Sequence, residues 1–110
     1  MKYLTIGHAS YDVTFRVDKY PIENTKQRVG KHIDCGGGPA SNAGYLLALW
    51  DCDVSFQGVA GKDYYGEMIK AEFKMVGVDT TYLELVDNFN TDLSIILANA
   101  TNASRTILTS

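Results

Sequence analysis

The sequence is poor in features that would each indicate a particular class of protein. It has only two cysteines, Cys35 and Cys52, in 110 residues, and their spacing fits neither a CxxC motif nor a zinc site. We therefore predict two reduced thiols and no bound metal. Basic residues number ten against thirteen acidic ones, and they form no cluster, which argues against a nucleic-acid partner.

Long hydrophobic runs are also missing. The apolar segments are too short to cross a bilayer, so no membrane partner is expected. Met1 and Lys2 lead directly into a short apolar segment without a signal-peptide cleavage site, and we therefore expect a cytoplasmic protein. The hydrophobic content of 45% is sufficient for the core of one modest domain.

Hydrophobic periodicity predicts strands that alternate with helices. Short apolar or alternating segments predict strands, whereas apolar residues at helical spacing predict helices. The predicted strands are 3–7, 12–17, 27–33, 53–60, 81–86, 93–98 and 105–109. One helix is predicted over 39–50, and a second is predicted between the N-cap Asp63 and the C-terminal Gly77.

This order predicts an α/β fold with two separate sheets. Strands that alternate with helices favour parallel crossover units. Two predicted hairpins, near 12–33 and 92–109, do not fit that layer and predict a second, smaller sheet. The last predicted strand runs into the C-terminus, which would leave an open edge; we therefore expect this chain to be the first part of a longer protein.

The stretch CGGGPASNAG, residues 35–44, places three glycines directly before a predicted helix. A phosphate-binding P-loop is excluded because neither Gly-Lys pair precedes a Ser or Thr: His32 and Asp63 follow them. A dinucleotide fingerprint is a poor match, since its third glycine is missing and the preceding strand is not the first. A turn that only allows close packing of strand and helix stays open as a structural interpretation.

The stretch from Gly37 to Gly61 resembles the first signature of the ribokinase-like (PfkB) carbohydrate kinases. Gly37-Gly38-Pro39-Ala40-Ser41-Asn42 matches its glycine pair and asparagine, while Gly44 and Asp51 depart from the pattern. The segments at 7–12, 59–66, 77–79, 90–92 and 104–107 resemble further family motifs in the same order. The resemblance therefore covers nearly the whole chain, and it implies Rossmann-type α/β/α layers, incomplete here, with a small β-sheet lid.

The resemblance implies a sugar-binding role for five residues. Asp12 would accept hydrogen bonds from two sugar hydroxyls, and Ser10 would add a polar contact. Gly37 and Gly38 would let backbone N–H groups approach the sugar, and Asn42 would reach it with its amide. The alternatives are a solvated strand residue for Asp12 and helix capping for Asn42.

The family transfers a phosphoryl group from ATP to a sugar hydroxymethyl group, and Mg²⁺ takes part in such transfers. The resemblance places the aspartate base and the ATP pocket beyond residue 110, so no catalytic residue is assigned here and this chain alone is expected to be inactive, with no cofactor bound. It also implies a homodimer formed through the lid, for which we expect an open face with Phe15, Val17 and Val29. A nucleoside kinase of the same superfamily and a non-catalytic sugar-binding or dimerisation domain remain as alternatives.

Overall fold

The computed structural model describes residues 1–110 as seven strands and two helices. The strands are β1 (Lys2–Ile6), β2 (Ser10–Val17), β3 (His32–Gly37), β4 (Asp53–Gly61), β5 (Leu83–Val86), β6 (Asp92–Asn99) and β7 (Ser104–Thr109). The helices are α1 (Pro39–Leu49) and α2 (Tyr64–Val76). Neither helix is long and apolar enough to cross a membrane.

The first sheet is parallel and has three strands in the order β1-β4-β5. Large, deeply buried side chains of the core come from β4 and α2: Phe56, Ile69 and Phe73 are fully or almost fully buried. The Phe56 and Phe73 rings stack with centroids 4.9 Å apart. Side chains on the other face alternate with these, and Leu4, Ile6 and Val59 are exposed there. The predicted α/β fold is confirmed, with helices on one face of the sheet.

The second sheet has four strands in the order β3-β2-β6-β7, and we call it the lid sheet. Its central pair, β2 and β6, is parallel, and both outer pairs are antiparallel. Asn99 pairs with Ser104 at the tight β6–β7 turn. The separate smaller sheet predicted from the two hairpins is therefore confirmed.

The third strand lies elsewhere than predicted. The sequence predicts a strand over 27–33, but β3 is His32–Gly37, so two of the three glycines lie within the strand. Register explains the difference, because Gly37 pairs with Ser10 and Gly36 with Tyr11. Residues 18–31 form a long connection, and β2 also begins two residues earlier than predicted, at Ser10.

Backbone conformation explains the ends of both helices. Gly38 is the N-cap of α1, with φ 101°, and no side chain caps this helix, so the capping interpretation of Asn42 is wrong. Asp51 follows α1 with φ 65°, the left-handed conformation that an aspartate tolerates. Both predicted ends of α2 are confirmed: Asp63 caps it by accepting from the Gly66 N–H, and Gly77 ends it with φ 92°.

Gly44, which departs from the family signature, lies on α1 against β1. A Cβ atom at Gly44 would lie 2.8 Å from the Thr5 Oγ1 atom. Real Cβ atoms almost never approach so closely, so a larger residue requires Thr5 to move. The Thr5 hydroxyl is buried without a hydrogen-bond partner. Thr5 therefore fills the space that a side chain at position 44 would otherwise occupy.

Candidate functional site

One face of the lid sheet carries three rows of side chains, ordered by distance from the helix start at Gly38. Residues in register share a face, as do alternate residues of one strand. The first row is Gly37, Ser10 and Asp92; the second is Cys35, Asp12, Ser94 and Thr109; the third is Ile33, Thr14, Ile96 and Ile107. This face therefore changes from polar beside α1 to largely apolar further out.

Asp12, Ser10 and Gly37 are in direct contact. The Ser10 hydroxyl donates to the Asp12 Oδ1 atom at 3.2 Å, and Ser10 is buried. A Cβ atom at Gly37 would lie 2.6 Å from Cγ of Asp12 and would overlap its carboxylate oxygens. Only glycine at position 37 leaves room for the Asp12 side chain to lie over the strand.

Gly38 is held close to the end of β1. Its φ of 101° is unfavourable for other residues, and a Cβ atom would lie 2.5 Å from the His8 carbonyl oxygen. The His8 Nε2 atom lies 3.3 Å from Asp92 Oδ2, at the start of β6. His8 therefore contacts both the glycine turn and the lid sheet.

Asn42 lies in the first turn of α1, where its backbone N–H donates to the Gly38 carbonyl at 2.8 Å. Its side chain is exposed, and no hydrogen bond joins it to Asp12. It lines a cavity of about 240 Å³ between β3, α1 and α2. The cavity is lined by Cys35, Gly36, Ser41, Asn42, Tyr45, Ile69, Glu72 and Phe73.

Carboxylates dominate the electrostatics of this region. Partial burial raises the pKa of the Cys35 thiol, and the negative charges of Glu72, Asp12 and Asp34 raise it further. Burial likewise raises the pKa of Tyr11, with a further increase from Glu72 and Asp34. No Lys or Arg lines the cavity beside the glycines. The surroundings therefore favour uncharged hydroxyl groups, which donate hydrogen bonds, over phosphate groups, which bring further negative charge.

The residues at the glycine run do not fit ATP with Mg²⁺. A nucleotide phosphate at a glycine-rich helix start is usually also held by a basic side chain, whereas here carboxylates surround the glycines. No group of three or more His, Cys, Asp and Glu side chains in the chain is arranged to hold a metal ion. The chemistry of these residues therefore suits ligand binding and not phosphoryl transfer.

A hydrogen-bond network joins the core to the lid sheet at the start of β6. The Thr91 N–H and hydroxyl donate to the Asp63 carboxylate at 2.9 Å and 2.7 Å. The Thr91 hydroxyl also accepts from the Gly61 N–H at 2.8 Å, and Asp63 accepts from the Gly66 N–H at 2.8 Å. Burial alone would raise the pKa of Asp63, but the hydrogen bonds from Thr91 and Gly66 outweigh it and lower the pKa.

Comparison with known proteins identifies the family. The family model described as pfkB family carbohydrate kinase matches residues 2–110. The chain belongs to this family. Ketohexokinase of Mus musculus is 31% identical over 105 residues, which are 96% of this chain and 35% of that protein. The ATP-dependent ribose-1-phosphate kinase of Halopiger xanaduensis is 28% identical over 99 residues, which are 90% of this chain and 33% of that protein.

Solved structures of PfkB-like kinases have the same fold. A structure assigned as a ribokinase from Agrobacterium tumefaciens has a TM-score of 0.89 and 26% identity, and the match covers 99% of this chain and 35% of that one. Arabidopsis thaliana ribokinase, complexed with ribose and ATP, has a TM-score of 0.83 and 22% identity over 98% of this chain and 35% of that one. The chain thus spans about a third of the length of these relatives, and the predicted PfkB family and ribokinase-like fold are confirmed.

The structure brings together some of the predicted site residues and adds others. Asp12, Ser10 and Gly37 form one cluster, Gly38 lies beside it, and Asn42 faces a neighbouring cavity. Sequence reasoning missed Asp92, Ser94 and Thr109, which lie in register with Ser10 and Asp12. Ser94 donates to the Thr109 hydroxyl at 3.1 Å. Asp92 and Ser94 could have been suspected from the alternation of polar residues at the start of β6, but only the strand register places them and Thr109 near Asp12.

Proposed function

We propose that this chain is the sugar-binding and lid-forming part of an ATP-dependent sugar kinase that phosphorylates a sugar hydroxymethyl group. The observation that carries the proposal is the Asp12 carboxylate, which lies over Gly37 and accepts one hydrogen bond, from Ser10. An ionised carboxylate can accept about four hydrogen bonds, so Asp12 retains capacity for two hydroxyls of a diol.

The neighbouring groups suit a neutral polyol. Ser10 fixes the Asp12 carboxylate on the sheet, and Ser94 lies in register on its other side. Glycine at positions 37 and 38 lets the Asp12 carboxylate and the His8 carbonyl approach this backbone closely, and these two residues are proposed to contribute by keeping Asp12 beside the start of α1, where the sugar would bind. Asn42 completes the proposed set if its exposed amide turns towards Asp12 when the sugar binds.

The catalytic base, ATP and Mg²⁺ are proposed to be held by the two thirds of the relatives' length that this chain does not span. Phosphoryl transfer depends on positioned phosphates and on neutralisation of their charge, and the acidic lid face provides neither. Residues 1–110 are therefore proposed as one N-terminal portion of a kinase domain that is inactive by itself. The cytoplasmic location stays a prediction.

The lid sheet is proposed to pair with the lid of a second copy. The third row has exposed apolar side chains: Ile33 is 66% exposed and Ile107 is 47% exposed. An apolar patch on a lid favours association because pairing removes it from water. The residues differ from those expected, because Val17 is buried and contributes with Phe15 and Val29 to a pocket on the opposite face.

The test of the proposal is a phosphorylation assay on the complete open reading frame that contains this chain. ATP and Mg²⁺ are supplied with a panel of ribose, fructose, ribose 1-phosphate and nucleosides, and product is measured by coupled ADP release. Turnover of a neutral sugar supports the proposal. Turnover of nucleosides alone supports the nucleoside-kinase alternative, and sugar binding in calorimetry without turnover supports the non-catalytic alternative.

A further inference from the structure

We propose that Glu72 is a positioning residue for the sugar site. It holds β3, the strand that contains Gly36 and Gly37, at the edge that pairs with no other strand. This inference rests on the proposed function, since the site that Glu72 would position is the proposed sugar site. Glu72 lies on α2, two turns after the helix start, and no family motif identified in the sequence includes it. The contact with β3 depends on the way the two sheets meet.

The first observation is an edge hydrogen bond. β3 is an outer strand of the lid sheet and pairs only with β2, so backbone groups on its other side lack a strand partner. The Gly36 N–H donates instead to the Glu72 Oε1 atom at 3.0 Å. This bond attaches the strand to α2 one residue before Gly37.

The second observation is the spacing between β3 and α2. A Cβ atom at Gly36 would lie 3.8 Å from Glu72 Oε1 and 3.9 Å from Ile69 Cγ1, which is ordinary van der Waals contact. Steric crowding therefore does not require glycine at position 36. At position 37, by contrast, a side chain would overlap the Asp12 carboxylate. The strand is paired with β2 on one side, and on its other side the hydrogen bond to Glu72 attaches it to α2.

The third observation is the other carboxylate oxygen. Glu72 Oε2 is buried and has no hydrogen-bond partner, and Glu72 lines the same cavity as Asn42. A buried carboxylate oxygen without a donor is unfavourable, so packing alone does not explain an acid at this position. Holding the Gly36 N–H requires an acceptor, and Glu72 provides one from a rigid helix.

The consequence is a chain of contacts from α2 to Asp12. Glu72 fixes Gly36, the next residue is Gly37, and the backbone at Gly37 sets the space in which the Asp12 carboxylate lies. Loss of the acceptor should let β3 move away from α2 and should loosen the site under Asp12. Sugar binding should weaken while ATP binding, proposed to lie elsewhere in the protein, should not.

The kinetic test uses the complete open reading frame that contains this chain. Glu72→Met keeps a similar size but offers only a weak thioether acceptor. It should raise the KM for the sugar about ten-fold if restoring the position of β3 on binding costs the free energy of one hydrogen bond. The KM for ATP should stay unchanged. Glu72→Gln retains an oxygen acceptor and should stay within about two-fold of the wild type. Glu67→Met, an exposed position on the same helix, is the matched control.

Two results would overturn the inference. One is an unchanged sugar KM in Glu72→Met; the other is a Glu72→Gln variant as impaired as Glu72→Met, which would mean that charge rather than hydrogen bonding matters.

Amide hydrogen exchange of Gly36 gives a readout that needs neither activity nor a stable variant. In the wild-type protein this amide must exchange slowly, and fast exchange would contradict the inference even if no sugar is phosphorylated and the proposed function fails.

Discussion

Thr91 donates two hydrogen bonds to the Asp63 carboxylate, one from its backbone N–H at 2.9 Å and one from its hydroxyl at 2.7 Å. Asp63 caps α2, and Thr91 directly precedes the lid strand β6. One carboxylate therefore joins the start of a core helix to the entry of the lid sheet. Any movement of the lid sheet relative to the first sheet would have to pivot about this junction or break it.

Replacing Thr91 with Val should destabilise the protein. The substitution removes the hydroxyl donor to Asp63 and leaves the buried Gly61 N–H without its acceptor, so we expect a loss of about 1–3 kcal/mol in the free energy of unfolding. Denaturant unfolding measures it. Thr91→Ser keeps the hydroxyl and is the control; equal losses in both variants would show that the methyl group, not the hydroxyl, is responsible.

The same junction predicts a dependence of stability on pH. Hydrogen bonds lower the pKa of Asp63 in the folded protein, so the stability that it contributes is present above the ordinary aspartate value of 3.8 and is lost as the pH falls through the lower folded value. Asp63→Asn should be less stable than the wild type at neutral pH, and the difference should shrink on acidification below 3.8. A difference that is constant with pH would contradict the assignment.

The glycines at 36 and 37 should respond differently to the same substitution. Gly37→Ala places a Cβ atom against the Asp12 carboxylate, and the resulting displacement should raise the sugar KM of the complete protein about ten-fold or more. Gly36→Ala meets only ordinary contacts and keeps its N–H, so its KM should change little. Steady-state kinetics on both variants tests the prediction, and equal effects would contradict the proposed contact between Asp12 and Gly37.

Pairing of two lids should depend on the third row of the lid face. Ile107→Asp puts a charge on the exposed apolar row, and if that row forms the interface the dimer dissociation constant should rise at least ten-fold, about 1.4 kcal/mol. Leu108→Asp changes the next residue, which points to the opposite face and is 59% exposed, and serves as the control. Sedimentation velocity over a range of concentrations compares the variants; equal weakening, or a monomeric wild type, would exclude this interface.

Local chemistry explains why much of the fold could be predicted from the sequence. The ends of α2 are marked by Asp63 and Gly77, whose capping roles depend only on neighbouring residues, and both were identified. The β6–β7 hairpin has a short connection of polar and small residues, and it too was recognised. The resemblance to a family identified Asp12 and Gly37 as site residues. The contact between them, which follows from the strand register, was not predicted.

The misplaced strand and the missed residues have a common cause. β3 is a strand because it pairs with β2, some twenty residues earlier in the chain, and its glycines have no strand propensity of their own. Ser94, Thr109 and Glu72 likewise approach Asp12 or Gly36 only after the sheets and α2 have assembled. A pattern within one segment contains no information about such long-range contacts.

The most direct test of the account is the effect of Asp12→Asn on sugar affinity, measured by calorimetry on the complete protein with the sugar that it phosphorylates best. Asp12 is proposed to accept two hydroxyl hydrogen bonds, and loss of its charge should weaken sugar binding by about ten- to a hundred-fold. Affinity for ATP should stay unchanged, and Asp34→Asn, an exposed neighbour on β3, should bind the sugar like the wild type. Undiminished sugar affinity in Asp12→Asn would contradict the proposed site.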